Sequence, residues 1–183
     1  MQLSIRPLAT ASILAELERH EVLGGRVVRK AAPSGSHGNA QFGLAVALGA
    51  FRGRGDGAGR PGGWWFGTEV EVEFGLHEVY LPDMAGWRIE HAPEPPTDRP
   101  VRLCPQWVAE ILSPSTAERD RGPKRAVYHA TGVEHYWLLD PNSQTLTVLK
   151  WTPAGYIAQL TASAGDHVLA PPFAQIELDI ASV

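Results

Sequence analysis

The sequence predicts a mixed α+β fold (α+β or mixed α/β) forming a single domain over residues 1–183, and three observations predict it. A chain of 183 residues can bury one sizeable core and is short for two. Period-two alternation of apolar and polar residues recurs along the chain, so strands outnumber helices. The helical patterns lie early and late around those strands, with no internal repeat.

The elements follow in order. Residues 10–20, TASILAELERH, carry Ile13, Leu14 and Leu17 at helical spacing, with Thr10 or Ser12 as N-cap, and predict an N-terminal helix. EVLGGRVVRKA reads as a hairpin about Gly24-Gly25. Ser36 is expected to open a second helix with Leu44, Leu48 and Phe51 on one face. Its small residues Ala40, Gly43 and Ala47 would allow close approach to a sheet. Residues 52–63, RGRGDGAGRPGG, form a loop. Gly53, Gly55 and Ala58 imitate a dinucleotide fingerprint there, but after a helix instead of a strand, and the Arg54-Gly55-Asp56 triplet carries little information.

From Trp65 to Phe74 the alternation predicts one strand, with Phe66, Thr68, Val70, Val72 and Phe74 inward and Glu69, Glu71 and Glu73 in water. EVYLPDMAGWRIE follows as a strand pair or one bulged strand, and APEPPTDRP as a stiff loop. WVAEILS is a short apolar strand holding one acid. A helix lies within SPSTAERDRGPKRAVYHATG, with Pro123 in its first turn and Gly132 at its C′ position. VEHYWLLD and TLTVLKW are strands joined by a turn at Pro141–Gln144, Tyr136 and Trp137 being core. YIAQL and IELDI are edge elements.

Composition excludes several classes. With 44% hydrophobic and 20% charged residues the chain is neither disordered nor membrane-spanning in character. The opening MQLSIRPLATAS holds no apolar run of a secretory leader, and the cytoplasm is the expected compartment. One cysteine, Cys104, leaves no internal disulfide framework and no thiolate zinc site. A net charge of −4 gives no overall basic field for nucleic acid, so a polyanion would need a local basic patch or a bridging cation.

Chemistry is expected where polar groups interrupt apolar runs. Pro82-Asp83 ends a strand, Glu110 lies inside Trp107–Leu112, and Lys124 stands early in the next helix, just after Asp120. A carboxylate in a buried strand costs several kcal/mol unless paired or bound to a cation. Two carboxylates from neighbouring strands, with a lysine from an adjoining helix, suit Mg²⁺ or Mn²⁺, which prefer oxygen ligands and keep several waters.

The run P-D, then AEILSPST, then RDRGPKRAVYHATGVEHYWLLDP resembles the Uma-type restriction endonuclease family of the PD-(D/E)XK nuclease superfamily. HEVLGGRVV and His37 extend the resemblance, which covers residues 15–160 and is most specific from Glu110 to Asp140. It implies a restriction-endonuclease-like domain, a central mixed sheet flanked by helices, and Mg²⁺-dependent hydrolysis of phosphodiester bonds in DNA. Asp83 matches the first acid of the motif, Glu110 the second, and Glu21 an N-terminal acid near the metal. Leu112 departs from the pattern, for the superfamily has lysine there; family members similarly carry one on the following helix, here Lys124.

Each residue also has a plainer reading. Asp83 could be turn chemistry, Glu110–Lys124 a structural ion pair, and Asp120 a helix cap or a partner of Arg121 or Arg125. His37 could bond within its own helix, and Tyr128 pack against the core. Arg119, Arg121 and Arg125, beside Lys124, are the candidates for phosphate contact, or else a solvated helix start. Three functions are open to such a chain: a DNA endonuclease, which as a cutter of duplexes would favour a homodimer; a silent nuclease-fold module binding nucleic acid or protein; and, more weakly, a glycosidase using Asp83 and Glu110 as its acid/base pair.

Overall fold

In the computed structural model, residues 8–183 are described, apart from the side chains of Ala15 and Glu16. Most of the opening segment in which no leader is expected, residues 1–7, therefore lies outside the described residues. Among the described residues, twelve strands form three sheets. The central sheet runs β10-β9-β8-β7-β6-β3, comprising Gly155–Ser163, Thr145–Thr152, His135–Asp140, Trp107–Ile111, Met84–Arg88 and Trp64–Gly67. It is mixed: β7 and β8 are parallel and every other pair antiparallel. A second sheet, β2-β1-β5-β4, comprises Arg26–Arg29, His20–Leu23, Glu78–Tyr80 and Val72–Gly75. The third pairs β11, His167–Val168, with β12, Leu178–Asp179.

Because β7 is central and covered on both sides, its residues alternate between two cores. Trp107, Ala109 and Ile111 pack with Ala40, Leu44 and Leu48 of the early helix, α1, Gly35–Ala47 and its C-cap. Val108 and Leu112 pack on the opposite face with Tyr128, Val133 and Tyr136. Helical cover on that face comes from α2, Ala117–Arg119, a π turn, Asp120–Lys124, and α3, Arg125–Ala130. Glu110 has the parity of Val108 and Leu112, so it enters this second core, where Lys124 and Tyr128 await it.

Several expectations are corrected. The N-terminal helix is only a 3₁₀ turn, Ala11–Glu16: Leu14 is buried, Ile13 is 46% exposed, and a positive φ of 54° at Arg19 turns the chain into β1. Helix α1 begins ahead of Ser36, because the Ser34 hydroxyl caps it by accepting from the His37 N–H. In its small-residue stripe, Ala40 does face the core, but a methyl on Gly43 would strike the Ser182 carbonyl, so that position approaches the C-terminal 3₁₀ turn, Ile180–Ser182, not a strand.

The single strand expected from Trp65 to Phe74 is two strands in different sheets, broken where Glu69 takes a φ of 51° and its N–H donates to the Pro82 carbonyl. The segment EVYLPDMAGWRIE likewise changes sheets between β5 and β6, turning at Pro82-Asp83. Pro123 lies inside the π turn instead of the first helical turn. The hairpin at Gly24-Gly25 (φ 54° and 73°), the loop over 52–63, Gly132 just beyond α3 (φ 83°) and the β8–β9 turn all form as expected.

Candidate active site

The register of the central sheet brings the two acids together. Met84 pairs with Ala109 and Ala85 with Val108, and one further step sets Asp83 opposite Glu110 on the same face. The Asp83 N–H lies 3.4 Å from Glu110 Oε2, and Asp83 Oδ2 accepts from the Ile111 N–H at 2.7 Å. Both side chains are almost wholly buried, at 2% and 1% exposure. They line a cavity of about 220 Å³ with Glu21, Lys30, His37, Glu69, Arg119, Asp120 and Lys124.

Lys124 forms the hub of one half. Its Nζ lies 2.9 Å from Glu21 Oε1, 3.0 Å from Glu110 Oε1 and 3.6 Å from Asp120 Oδ1. The π turn makes this possible: its wider coil buries Asp120 and Lys124 together in the cavity wall. Burial alone would favour the neutral amine, yet Glu110, Glu21 and Asp120 hold the lysine above its ordinary pKa. Lys124 is therefore held as an ammonium by three carboxylates. Tyr128 donates to Glu110 Oε1 at 2.6 Å, so this oxygen carries two strong donors while Oε2 carries only the long Asp83 contact. Glu21 Oε1 also accepts from the Leu81 N–H.

Lys30 dominates the other half. Its Nζ donates to Asp83 Oδ1 at 2.7 Å and to the Leu81 carbonyl at 2.6 Å, and lies 3.6 Å from Glu69 Oε1. His37 Nε2 stands 3.3 Å from Asp83 Oδ1 but is not aligned for a hydrogen bond, and this buried nitrogen has no hydrogen-bond partner among the described residues. Gln41 of α1 anchors the Asp83 carbonyl at 2.7 Å.

The two central acids titrate in opposite senses. Burial would raise Asp83, but His37 and Lys30 at its carboxylate overcome this and hold it well below the usual range. Burial pushes Glu110 up, to about 8; Lys124 offsets only part of this, and the Asp120 and Asp83 charges add to it. Burial likewise raises Asp120, against the pull of Lys124.

Of the residues singled out from the sequence, Asp83, Glu110, Lys124, Glu21, Asp120, His37 and Arg119 converge on this cavity. Arg121 and Arg125 do not. Arg121 reaches toward Asp140 at 3.7 Å and Arg125 toward the Tyr156 carbonyl at 3.3 Å, on other sides of the helical segment. Tyr128 packs, being fully buried, and also holds Glu110. Sequence reasoning missed Lys30, Gln41, Arg19 and Glu69, the last two joined by hydrogen bonds of 2.6 and 3.0 Å. The sequence holds no signal for Glu69, because the apolar alternation runs unbroken past it.

Among the described residues, no three acidic, histidine or cysteine side chains group as ligands of one ion. Asp83 and Glu110 are a pair, not a cage. A pair of hard oxygen donors beside a cavity of this size fits Mg²⁺, which characteristically uses one or two carboxylates and retains water. The unpartnered His37 nitrogen at Asp83 points the same way, being a polar group with unused bonding capacity in the cavity wall.

A family model, Uma2, described as "Putative restriction endonuclease", matches residues 8–181. Among solved structures, a crystal structure described as a "putative nuclease belonging to DUF820" from Anabaena variabilis aligns with a TM-score of 0.68. It is 20% identical, over 94% of this chain and 96% of that one, and shares the fold. No curated protein matches the chain. Among the described residues, no helix is long and apolar enough to cross a membrane.

Proposed function

The chain belongs to the Uma2 family, and on that premise we propose that it is a nuclease hydrolysing phosphodiester bonds in DNA, with Mg²⁺ or Mn²⁺ held at Asp83 and Glu110. The observation that carries this reading is the meeting of Asp83, Glu110 and Lys124 at one cavity, from the turn into β6, from β7 and from a π turn. A divalent ion bound there supplies charge neutralisation at the phosphate and a water of lowered pKa.

The residues of the chain divide the remaining work. Asp83, kept ionised by Lys30 and His37, offers the anionic ligand. Glu110 contributes Oε2, while Lys124 and Tyr128 lock Oε1 and with it the rotamer. Lys124 keeps its proton, so it acts on the charge of the transition state instead of removing a proton from water. Glu21 and Asp120 hold that ammonium in place. Arg119, on the cavity wall, is the side chain suited to an approaching phosphate.

The test is cleavage of plasmid DNA with Mg²⁺ or Mn²⁺. Asp83→Asn should abolish cleavage and Mn²⁺ binding together. Lys124→Ala should lower turnover on the order of 10²–10⁴-fold while Mn²⁺ still binds. Full activity in Asp83→Asn would overturn the reading. One feature favours a second reading, a module that binds without cutting: the net charge of −4 gives no general attraction for DNA. That module would bind DNA equally well as Asp83→Asn and cut with neither metal.

A further inference from the structure

We infer that Lys30 is a displaceable internal counter-ion, which neutralises Asp83 in the metal-free protein and must swing to Glu69 before a divalent cation can bind. The inference rests on the metal-site reading above and adds a movement of Lys30 to it.

Lys30 directly follows β2 and is 7% exposed. Its three N–H donors face three acceptors: Leu81 O at 2.6 Å, Asp83 Oδ1 at 2.7 Å and Glu69 Oε1 at 3.6 Å. Both Asp83 oxygens are engaged as a result. Oδ2 holds the Ile111 N–H, while Oδ1 holds the ammonium and faces His37. An ion at about 2.1 Å from Oδ1 would sit beside a positive charge bonded to the same oxygen. Two cations cannot share that oxygen cheaply in a buried site.

The structure also supplies the place to which Lys30 moves. Glu69 Oε1 lies 3.6 Å from Nζ, so a shift of about 0.7 Å makes an ordinary hydrogen bond of about 2.9 Å. Glu69 cannot drift away, because Arg19 grips both its oxygens, at 2.6 and 3.0 Å. Its backbone is pinned at a φ of 51° with its N–H on Pro82, next to Asp83. A glutamate held in left-handed backbone is an unfavourable arrangement that needs a reason. Service as the second seat of Lys30 is such a reason. The ammonium then stays in the cavity wall, still positive, while its 2.7 Å bond to Oδ1 lengthens to at most about 3.4 Å and that lone pair of Asp83 becomes open to the ion.

Titration calorimetry with Mn²⁺ tests this. Lys30→Gln removes the charge and keeps a donor for Asp83, so it should bind Mn²⁺ on the order of tenfold tighter than the unmodified protein. Glu69→Gln removes the second seat and should weaken Mn²⁺ binding severalfold, an effect that disappears in the Lys30→Gln, Glu69→Gln double variant. Should Lys30→Gln fail to fold, Glu69→Gln alone decides: unchanged affinity overturns the inference. Unaltered or weaker binding by folded Lys30→Gln, with Mn²⁺ bound by the unmodified protein and lost in Asp83→Asn, overturns the counter-ion role and leaves the metal site standing. Absence of Mn²⁺ binding in both the unmodified protein and Lys30→Gln removes both. Binding only after Lys30→Gln supports the counter-ion role in its strongest form.

Discussion

At the scale of the residue, Asp83, just ahead of β6, and Glu110 on β7 stand side by side while their environments drive their protons apart. Lys30 and His37 keep Asp83 ionised, and burial raises Glu110 to about 8 despite Lys124. A metal ligand must be deprotonated, so ion binding near neutral pH has to expel the Glu110 proton. Mn²⁺ affinity should therefore rise with pH and level off above about 8. Calorimetry in buffers of differing ionisation enthalpy should find about one proton released per ion at pH 7, and none from Glu110→Gln. A flat pH profile would show that Glu110 is already ionised by Lys124. Glu110 and Lys124 were legible because a charge inside an apolar strand and a lysine in the next helix both ask for partners. Lys30 was not, since RKAAPS reads as an ordinary polar exit from a strand. Glu69 was hidden by the alternation of VEVEF-type residues around it, which assigned it to water.

At the scale of the element, the segment after β7 shows why a helix could be read from sequence while its function could not. Residues 117–130 are helical throughout and end ahead of Gly132 as expected, but the helix starts well before Pro123, and the middle five residues widen into a π turn. Pro123 has no N–H to donate back along the helix, and the inserted residue absorbs the mismatch. The consequence is angular: one extra residue rotates the rest of the helix by about 100°. Asp120 and Lys124 thereby both become buried at the cavity. Deleting exposed Gly122 should restore an α-helical count, keep most of the helical circular dichroism, and remove Lys124 from Glu110 and Glu21. DNA cleavage should fall as far as in Lys124→Ala. A deletion variant that cuts normally would mean that the π turn has no role in placing the lysine. The broken strand at Glu69 is the same lesson in a sheet. Local alternation continued from Trp65 to Phe74, but a single left-handed residue sent its halves to different sheets.

At the scale of the whole molecule, the sheet carries buried ionisable groups beyond the cavity, and they decide how the protein meets acid. His135 opens β8 in the middle of the central sheet and is 5% exposed. Its Nε2 faces the Lys150 ammonium at 3.2 Å, and its Nδ1 has no hydrogen-bond partner among the described residues. Burial, reinforced by the Lys150 and Arg88 charges, lowers its pKa to about 3. An unfolded histidine titrates near 6.5. Between those values the unfolded chain binds a proton that the folded chain refuses, so folding stability falls as pH drops from about 6.5 toward about 3. Glu110 acts in the opposite sense: its raised pKa makes the metal-free fold lose stability as pH rises from about 4.5 toward about 8. The two windows overlap, so the net profile alone separates nothing, but single substitutions do. His135→Gln keeps an acceptor for Lys150 and removes the titration. Its melting temperature should fall less than that of the unmodified protein between pH 6.5 and pH 4, while the two curves run parallel above pH 7. Parallel curves over the acid range as well would show that His135 gains its proton inside the fold, with a carboxylate such as Glu134, which lies 3.7 Å from Lys150, taking up the charge.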